Sequence, residues 1–371
     1  MDDQRKTLKS QKSALDYPLL IVSALLVVIG LIAIYDASVV SAFHDFGDKF
    51  HYIKNQMVWA TLGSFSLIFF SFFDYHKLVK LGSLVLGASI VLLGLVLIPH
   101  IGTEALGARR WITIGTFTFQ PSEFTKLAIV FYATAIIAKF EHFKITLYDA
   151  ALVYFLPIMV AAGLVFLQPD FGTDIIFVSL ALIVYFVGYA PIWHFLLALP
   201  VLLFGSLFVI ITEPYRLERL RAFLDPAYDP KGSSYQINQI IIALATGGLF
   251  GVGLGGSRSK FEFIPEVQND AIFAVIVEEL GFLGALVLIG LFLFLLTRAI
   301  KIARGAPDFV GKVLGAGLVG LLATQIFLNL ASNVALVPLT GIPLPFISYG
   351  GSSLFVTLTA LGILLNIKRQ S

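Results

Sequence analysis

The 371-residue sequence contains no cysteine. Disulfides, thiolate nucleophiles, cysteine-ligated zinc and iron–sulfur clusters are thereby excluded. Charge is scarce too: Asp, Glu, Lys and Arg make up 13% of the chain, against roughly 25% in an ordinary soluble domain. The net charge of +2 produces no field that would gather nucleic acid, and the six histidines are too scattered for a metal cluster. What fills the space is apolar: 58% of residues are hydrophobic, too many for a water-soluble surface of this size.

A helix needs about 20 mostly apolar residues to cross a bilayer. Runs of that kind predict spans near 18–40, 57–73, 81–98, 123–139, 148–167, 173–189, 191–212, 271–297, 312–337 and 348–367. The first run is too long for a secretory leader and lacks a small-residue cleavage site. The expected fold is all-α: one polytopic bundle of about ten transmembrane helices over 18–367, with short tails at 1–17 and 368–371. Segment 236–256 is apolar but glycine-rich, and reads as a re-entrant or interfacial helix rather than an eleventh crossing.

The lysines and arginines give the bundle a direction. Fourteen fall in loops that share a side with the N-terminus, among them Lys77, Lys80, Arg298, Lys301, Arg304, Lys312, Lys368 and Arg369. Eleven fall on the other side, and six of those lie in the single long loop 213–270, which counts little in the rule. Both termini are therefore expected in the cytoplasm, with the long loop between spans seven and eight outside. Length and charge concentrate function on that outer face.

Two motif matches carry no weight. Gly251-Val-Gly253-Leu-Gly255-Gly256 spells a dinucleotide fingerprint but lacks the flanking strand and the acidic residue that bind the ribose; a tight turn or close backbone approach explains it better. Asp170-Phe171-Gly172 spells a kinase motif without any of its partners. Gln-Pro-acid occurs at Gln120-Pro121-Ser122-Glu123 and at Gln168-Pro169-Asp170, which is helix-start chemistry.

Ionisable groups at the membrane edge are costly, so each is a candidate for function. The densest set is Arg258, Lys260, Glu262, Glu266, Asp270, Glu278 and Glu279. If helical, the spacing of Glu262, Glu266, Asp270 and Glu278 would place them along one side. Asp270 at a helix start could simply answer the helix dipole, and Glu278-Glu279 could pair with bundle cations. Arg109 and Arg110 offer forks suited to phosphate, with Trp111 beside them as an interface anchor. Lys126 could snorkel to the surface or hold a lipid phosphate, with Glu123 one turn before it. Gly350-Gly351-Ser352-Ser353 could cradle an anion or merely break the chain before a helix. An anionic lipid-linked substrate fits this collection, and so does a proton-coupled transporter.

Six segments carry a resemblance. Gly107-Ala-Arg-Arg-Trp-Ile112, Gln120-Pro-Ser-Glu-Phe-Thr-Lys126, Gln168-Pro-Asp-Phe-Gly-Thr173, Phe263-Ile-Pro-Glu266, Phe273-Ala-Val-Ile-Val-Glu-Glu-Leu-Gly281 and Pro343-Leu-Pro-Phe-Ile-Ser-Tyr-Gly-Gly-Ser-Ser353 resemble, in order, the signatures of the SEDS proteins of bacterial shape, elongation, division and sporulation. Arg109-Arg110 and the run from Gly251 to Lys260 look more like the FtsW division branch than the RodA branch. Two positions depart from the pattern: Thr340 stands where many FtsW proteins carry lysine, and Gln268-Asn269 replace the usual His-Thr before Asp270.

The resemblance implies a peptidoglycan glycosyltransferase of the bacterial plasma membrane, working at the division septum on lipid II, a disaccharide-pentapeptide carried by undecaprenyl pyrophosphate. It implies catalytic roles for Asp270 and Glu262. Substrate contacts would come from Arg109, Arg110, Lys126, Glu123, Asp170, Glu266, Lys260, Ser348, Gly350, Gly351 and Ser352. No cofactor is required by it beyond an optional divalent cation, magnesium or manganese, whose ligands the sequence does not single out. The implied partners are a class B penicillin-binding transpeptidase and other divisome membrane proteins, with no nucleic acid. A lipid II flippase, or a non-catalytic scaffold for a transpeptidase, are the rival readings.

Overall fold

The computed structural model describes residues 15–105, 108–115, 117–141, 145–212, 214–230, 232, 234–260, 264 and 266–371. The described residues form thirteen α-helices and one small sheet. The long helices are α1 (Tyr17–Phe46), α2 (His51–Phe72), α4 (Gly82–Leu97), α5 (Pro121–Lys139), α6 (Leu156–Phe166, entered through a wide π-turn stretch, Asp149–Phe155), α7 (Phe171–Val187), α8 (Ile192–Thr212), α11 (Ile272–Arg304), α12 (Phe309–Asn333) and α13 (Gly351–Gln370). Three short ones complete the set: α3 (Tyr75–Lys80), α9 (Pro214–Leu224) and α10 (Tyr235–Gly247). Six of the helices are long and apolar enough to cross a membrane: α1, the joined stretch from Asp149 through α6, and α5, α11, α12 and α13. Each of the other four expected spans is present as a helix. The chain is a multi-pass membrane protein.

Helix starts follow ordinary capping. The Asp16 carboxylate accepts the Leu19 N–H at 3.0 Å, with Pro18 just inside α1. Asp170 caps α7 by accepting the N–H and hydroxyl of Thr173 at 3.2 and 2.9 Å, and Asp308 caps α12 through the Gly311 N–H at 2.6 Å. Each such oxygen satisfies a backbone donor that the helix leaves free.

At the centre stand α5, α12 and α13, whose spans are mostly buried, while α1, α6 and α11 lie at the periphery with apolar side chains turned outward. That outward surface suits acyl chains and not water. The α2–α13 seam shows how the helices hold together without a hydrophobic drive between them. Ser66 and Thr359 share a hydrogen bond at 2.6 Å, Asn366 donates to the Ser71 carbonyl at 3.1 Å, and a β-carbon built on Gly362 would meet the Leu67 carbonyl oxygen at 2.5 Å. Small residues for close approach and polar groups as glue are what lipid-embedded packing requires.

The two ends of the bundle differ. One gathers the start of α1, α3, the end of α11, the start of α12 and the end of α13: Arg298 pairs with Asp16 at 2.6 Å, and His76 lies between Asp74 and Asp308 at 2.8 and 2.7 Å. The other end carries the sheet, α9, α10 and Asp270.

The sheet corrects an all-α expectation. Strands β1 (Gly102–Ala105), β2 (Ala108–Ile114) and β3 (Phe117–Phe119) pair antiparallel in the order β1-β2-β3, with an irregularity between Thr103 and Glu104. The alternation that makes β2 a strand spans only seven residues and sits between two apolar helices, so it reads as connector. The region 213–270 is likewise partly helical, because α9 and α10 occupy it. With 13 residues, α10 reaches about 20 Å, short of the roughly 30 Å hydrocarbon core.

The longest helix is broken. Gly281 has φ 69° and ψ −171°, which frees backbone groups on both sides of it. Residues 248–253 return to satisfy them: Val252 and Gly253 N–H donate to the Glu278 and Glu279 carbonyls at 3.0 and 3.1 Å, and Phe282 and Leu283 N–H donate to the Gly248 and Leu249 carbonyls at 2.8 and 3.2 Å. The glycine run is thus a close backbone approach, since a β-carbon on Gly251 would stand 2.0 Å from the Glu279 carbonyl oxygen.

Gly362→Leu is expected to cost about 1–3 kcal/mol by overpacking the α2–α13 seam, read as a lowered midpoint in thermal unfolding of the detergent-solubilised protein. Ser64→Leu, on the partly exposed side of α2, is expected to leave the midpoint near wild type.

Candidate active site

Asp270 stands two residues before α11, at the sheet-bearing end. Its main chain is pinned from α12: Asn329 and Asn333 donate side-chain N–H groups to its carbonyl at 2.9 and 2.8 Å, and Asn329 also donates to the Ile342 carbonyl at 2.8 Å. Both asparagines are fully buried. The segment 266–270 is a run of turns and not a helix, so the imagined stripe of Glu266, Asp270 and Glu278 does not form. Burial pushes the Asp270 carboxyl up to about 6, against the pull of the positive Arg219.

Two cavities of about 280 Å³ each meet beside it. They share Gly341 as a common wall, and a β-carbon built on that glycine would sit 4.0 Å from Asp270 Oδ2.

The first cavity is lined by Arg110, Arg216 and Arg219 together with Phe171, Ile175, Leu220 and Leu328. Strand alternation aims Arg110 at the α6–α7 corner, where its Nε donates to the Gln168 carbonyl at 2.9 Å and its terminal nitrogen to the Pro169 carbonyl. Arg216 lies over the Phe166 ring at 4.1 Å, and Arg219 donates to the Leu339 carbonyl at 3.0 Å. Asp170 reaches the same cavity from the cap of α7. Cations backed by an apolar wall suit a phosphate attached to a lipid chain.

The second cavity is lined by Trp59, Trp111, Gln120, Glu123, Asn269, Tyr349 and the run Gly350–Ser353. It contains the start of α13, which has no side-chain cap. Lys126 is wholly buried and donates to Glu123 Oε1 at 2.6 Å, while Glu123 Oε2 has no partner among the described residues. The cavity wall is fixed by local bonds: Gln120 N–H donates to Ser352 Oγ at 3.0 Å, Gly350 N–H to Gln56 Oε1 at 3.2 Å, Leu344 N–H to Ser348 Oγ at 2.8 Å, and Tyr349 N–H to the Gln268 carbonyl at 2.9 Å. Indole faces beside amide, carboxylate and hydroxyl groups suit a sugar ring.

The structure therefore brings Asp270, Arg110, Asp170, Glu123, Gly350, Gly351 and Ser352 around this pair of cavities, with Lys126 behind Glu123 and Ser348 holding the loop. Arg109 projects from β2 to Glu104 at 3.1 Å and lines neither. Lys260 and Glu266 line a third recess of about 300 Å³, with His44, Asp45 and Gln268. There the Lys260 ammonium bridges Asp36 at 3.0 Å and Glu279 at 3.2 Å; burial alone would lower its pKa, and the two carboxylates outweigh that to hold it above its ordinary value. Glu278 accepts from the Ser257 hydroxyl at 2.5 Å and the Arg258 N–H at 3.1 Å, so both glutamates of α11 tie down the loop that leads to Asp270. Glu262 lies outside the described residues.

Arg216, Arg219, Trp59, Asn329 and Asn333 escaped the sequence reading. The first two share a face of a short amphipathic helix by i, i+3 spacing. The asparagines had a usable signal, since two amides one turn apart inside an apolar span are costly unless they hold something.

Among the described residues no three His, Asp or Glu side chains are arranged to hold a metal ion. The described chain thus supplies no cage for a divalent cation.

A polytopic bundle with a raised-pKa carboxylate between an arginine-lined apolar cavity and a polar aromatic one is a membrane protein built to handle an amphipathic anion at its surface. The family comparison narrows that class: a model of the FtsW/RodA/SpoVE cell cycle proteins matches residues 17–371, and the chain belongs to that family. It is 42% identical over 366 residues to stage V sporulation protein E of Bacillus subtilis strain 168, covering 98% of this chain and 99% of that one. It is 38% identical over 353 residues to the probable peptidoglycan glycosyltransferase FtsW of Trichlorobacter lovleyi, covering 95% and 92%. Among solved structures it matches a chain described under "Structural coordination of polymerization and crosslinking by a peptidoglycan synthase complex", with TM-score 0.79, 31% identity and coverage of 96% and 98%. It also matches the rod shape determining protein RodA of Thermus thermophilus, with TM-score 0.69, 29% identity and coverage of 96% and 97%.

Lys260→Met is expected to cost about 3–5 kcal/mol, because it strands two carboxylates in a largely buried site. Adding Glu279→Gln to it is expected to restore part of the loss, measured by thermal unfolding in detergent.

Proposed function

We propose that this protein is a peptidoglycan glycosyltransferase that polymerises lipid II into glycan strands. The observation that carries the assignment of roles is the position of Asp270 at the Gly341 wall, within reach of both cavities. The arginine-lined cavity takes the pyrophosphate of the donor, with the polyprenyl chain along Phe171, Ile175 and Leu328. The aromatic cavity takes the acceptor sugar; its volume suits one ring, leaving the peptide outside.

The reaction then needs one proton transfer and one displacement. Asp270 takes the proton from the acceptor GlcNAc 4-hydroxyl as general base. That oxygen attacks the anomeric carbon of the donor MurNAc, the bond to undecaprenyl pyrophosphate breaks, and the new β-1,4 bond carries inverted configuration. Charge building on the leaving pyrophosphate is met by Arg110, Arg216 and Arg219. Asn329 and Asn333 position Asp270 through its carbonyl. Glu262, the second acid that the resemblance implies, would orient a sugar or help hold a divalent cation. A divalent cation, if the reaction uses one, would draw its oxygens largely from the pyrophosphate, and no step here depends on it.

The proposed activity goes with one topology. Ten crossings with both termini in the cytoplasm put α10 on the outer surface and both cavities at the outer leaflet, where the lipid-linked substrate is consumed. The neighbouring synthase complex supports a class B penicillin-binding transpeptidase as partner, and the family supports a septal site of action with other divisome proteins.

Asp270→Asn is expected to lower polymerisation of fluorescent lipid II by about 10²–10⁴-fold in the purified protein with its partner, read as loss of glycan ladders on gels. Undiminished ladders from a folded variant would remove Asp270 as base, and lipid translocation into liposomes without ladders would favour a flippase. The wild-type kcat/KM is expected to fall about tenfold per pH unit below about 6 and to level off above it, because only the deprotonated carboxylate accepts the proton.

Arg216→Gln is expected to reduce kcat by about 10²-fold through lost charge stabilisation, with KM changed less. The cysteine-free chain also allows a direct topology measurement. Single cysteines at Tyr228 and at Lys301 are expected to react with a membrane-impermeant maleimide from opposite sides of the membrane.

A further inference from the structure

One cleft takes no part in this chemistry. About 460 Å³ in volume, it opens at the terminus-bearing end between α7, α11 and α12. Its wall on α12 runs through Lys312, Ala316, Val319 and Gly320, which recur on one helical face. Ile183 faces them from α7 and Ile300 from α11. From Lys312 to Gly320 the groove descends about 12 Å along the helix, most of the roughly 15 Å half-thickness of the hydrocarbon core. A groove at that depth is filled by acyl chain, because lipid is the only solvent there.

Its mouth is marked by charge. Arg304 and Lys312 line it, both are exposed, and neither side chain makes a hydrogen bond or ion pair among the described residues. Arg304 at the end of α11 answers that helix's dipole. Lys312, four residues into α12, opposes its own, since cations are disfavoured at a helix start. Tyr189, with φ 58°, stacks against Phe309 at 6.2 Å beside them, an aromatic pair at headgroup level.

We propose that this cleft is a binding site for one anionic phospholipid of the leaflet that faces the termini, its phosphate between Arg304 and Lys312 and an acyl chain in the groove against Ala316 and Gly320. Basic pockets between transmembrane helices on the cytoplasmic side select anionic headgroups in this way. The proposal rests on the membrane orientation given above and not on the glycosyltransferase reading, and its readout is lipid retention, so the two can fail separately.

The test is native mass spectrometry of the full chain released from nanodiscs of equal phosphatidylglycerol and phosphatidylcholine. Wild type is expected to retain one phosphatidylglycerol. Arg304→Gln with Lys312→Gln is expected to lower that retention roughly tenfold. Lys301→Gln with Lys368→Gln removes the same charge outside the cleft and is expected to change it by less than about threefold. Ala316→Phe, which fills the groove and keeps both cations, is expected to abolish retention while thermal unfolding stays near wild type. Equal retention of the two lipids by wild type, an equal loss from the two charge variants, or unchanged retention in a folded Ala316→Phe protein would each overturn the site.

Discussion

A broken backbone in a membrane must find its hydrogen bonds inside the protein, because lipid offers none. Gly281 breaks α11, one of the long apolar helices, and the return of residues 248–253 supplies donors and acceptors on both sides of the break. The glycines at 251 and 281 are required because each backbone presses against the other with no room for a β-carbon. The path of the chain after α10 is therefore fixed by an electrostatic obligation of α11. Glu278 and Glu279, just before the break, complete the link by holding the backbone of residues 257–259 and the Lys260 ammonium. The chain from the end of α10 to Lys260 is anchored at this junction.

The site's chemistry follows from a division of labour between fixed parts. The short first half of α11 and the asparagines of α12 place Asp270; the sheet and α9 bring the arginines; the loop before α13 brings the polar wall. None of these elements is a long apolar helix surface. The spans form the frame, and the reactive groups sit on turns, strand and short helices at one end of it, where water and lipid meet. An amphipathic anion, apolar at one end and polar at the other, fits that boundary.

Much of the frame was legible in the sequence and much of the site was not. Apolar runs near 20 residues specify a helix almost by themselves, and among the described residues six of the resulting helices are long and apolar enough to cross a membrane. Asp270 could be singled out because a carboxylate at the start of an apolar helix is costly. The sheet could not: Arg109 and Arg110 looked like neighbours with one purpose, while the strand sends one to Glu104 and the other to the arginine cavity. Arg216 and Arg219 were hidden because what draws them to Asp270 is the fold of α9 over the loop before α13, a contact across more than a hundred residues. Lys260 was visible as an unusual cation, but pattern alone does not show that its partners are Asp36 and Glu279. Spacing along the chain encodes helices; it does not encode which loop folds over which.

The two cavities share Gly341 as a common wall. A single small molecule could therefore lie across Gly341, with a diphosphate mimic among the arginines and a sugar mimic against Trp59 and Trp111. Joining two such fragments makes the second contact intramolecular, at an effective concentration in the millimolar range for a short linker. Two weak fragments could combine into one tight bisubstrate inhibitor. A substitution at Gly341 that blocked it would have to project a side chain from a left-handed position, φ 68°, toward the Asp270 carboxylate proposed as the base. Resistance at that wall would come at a cost to the enzyme's own substrate.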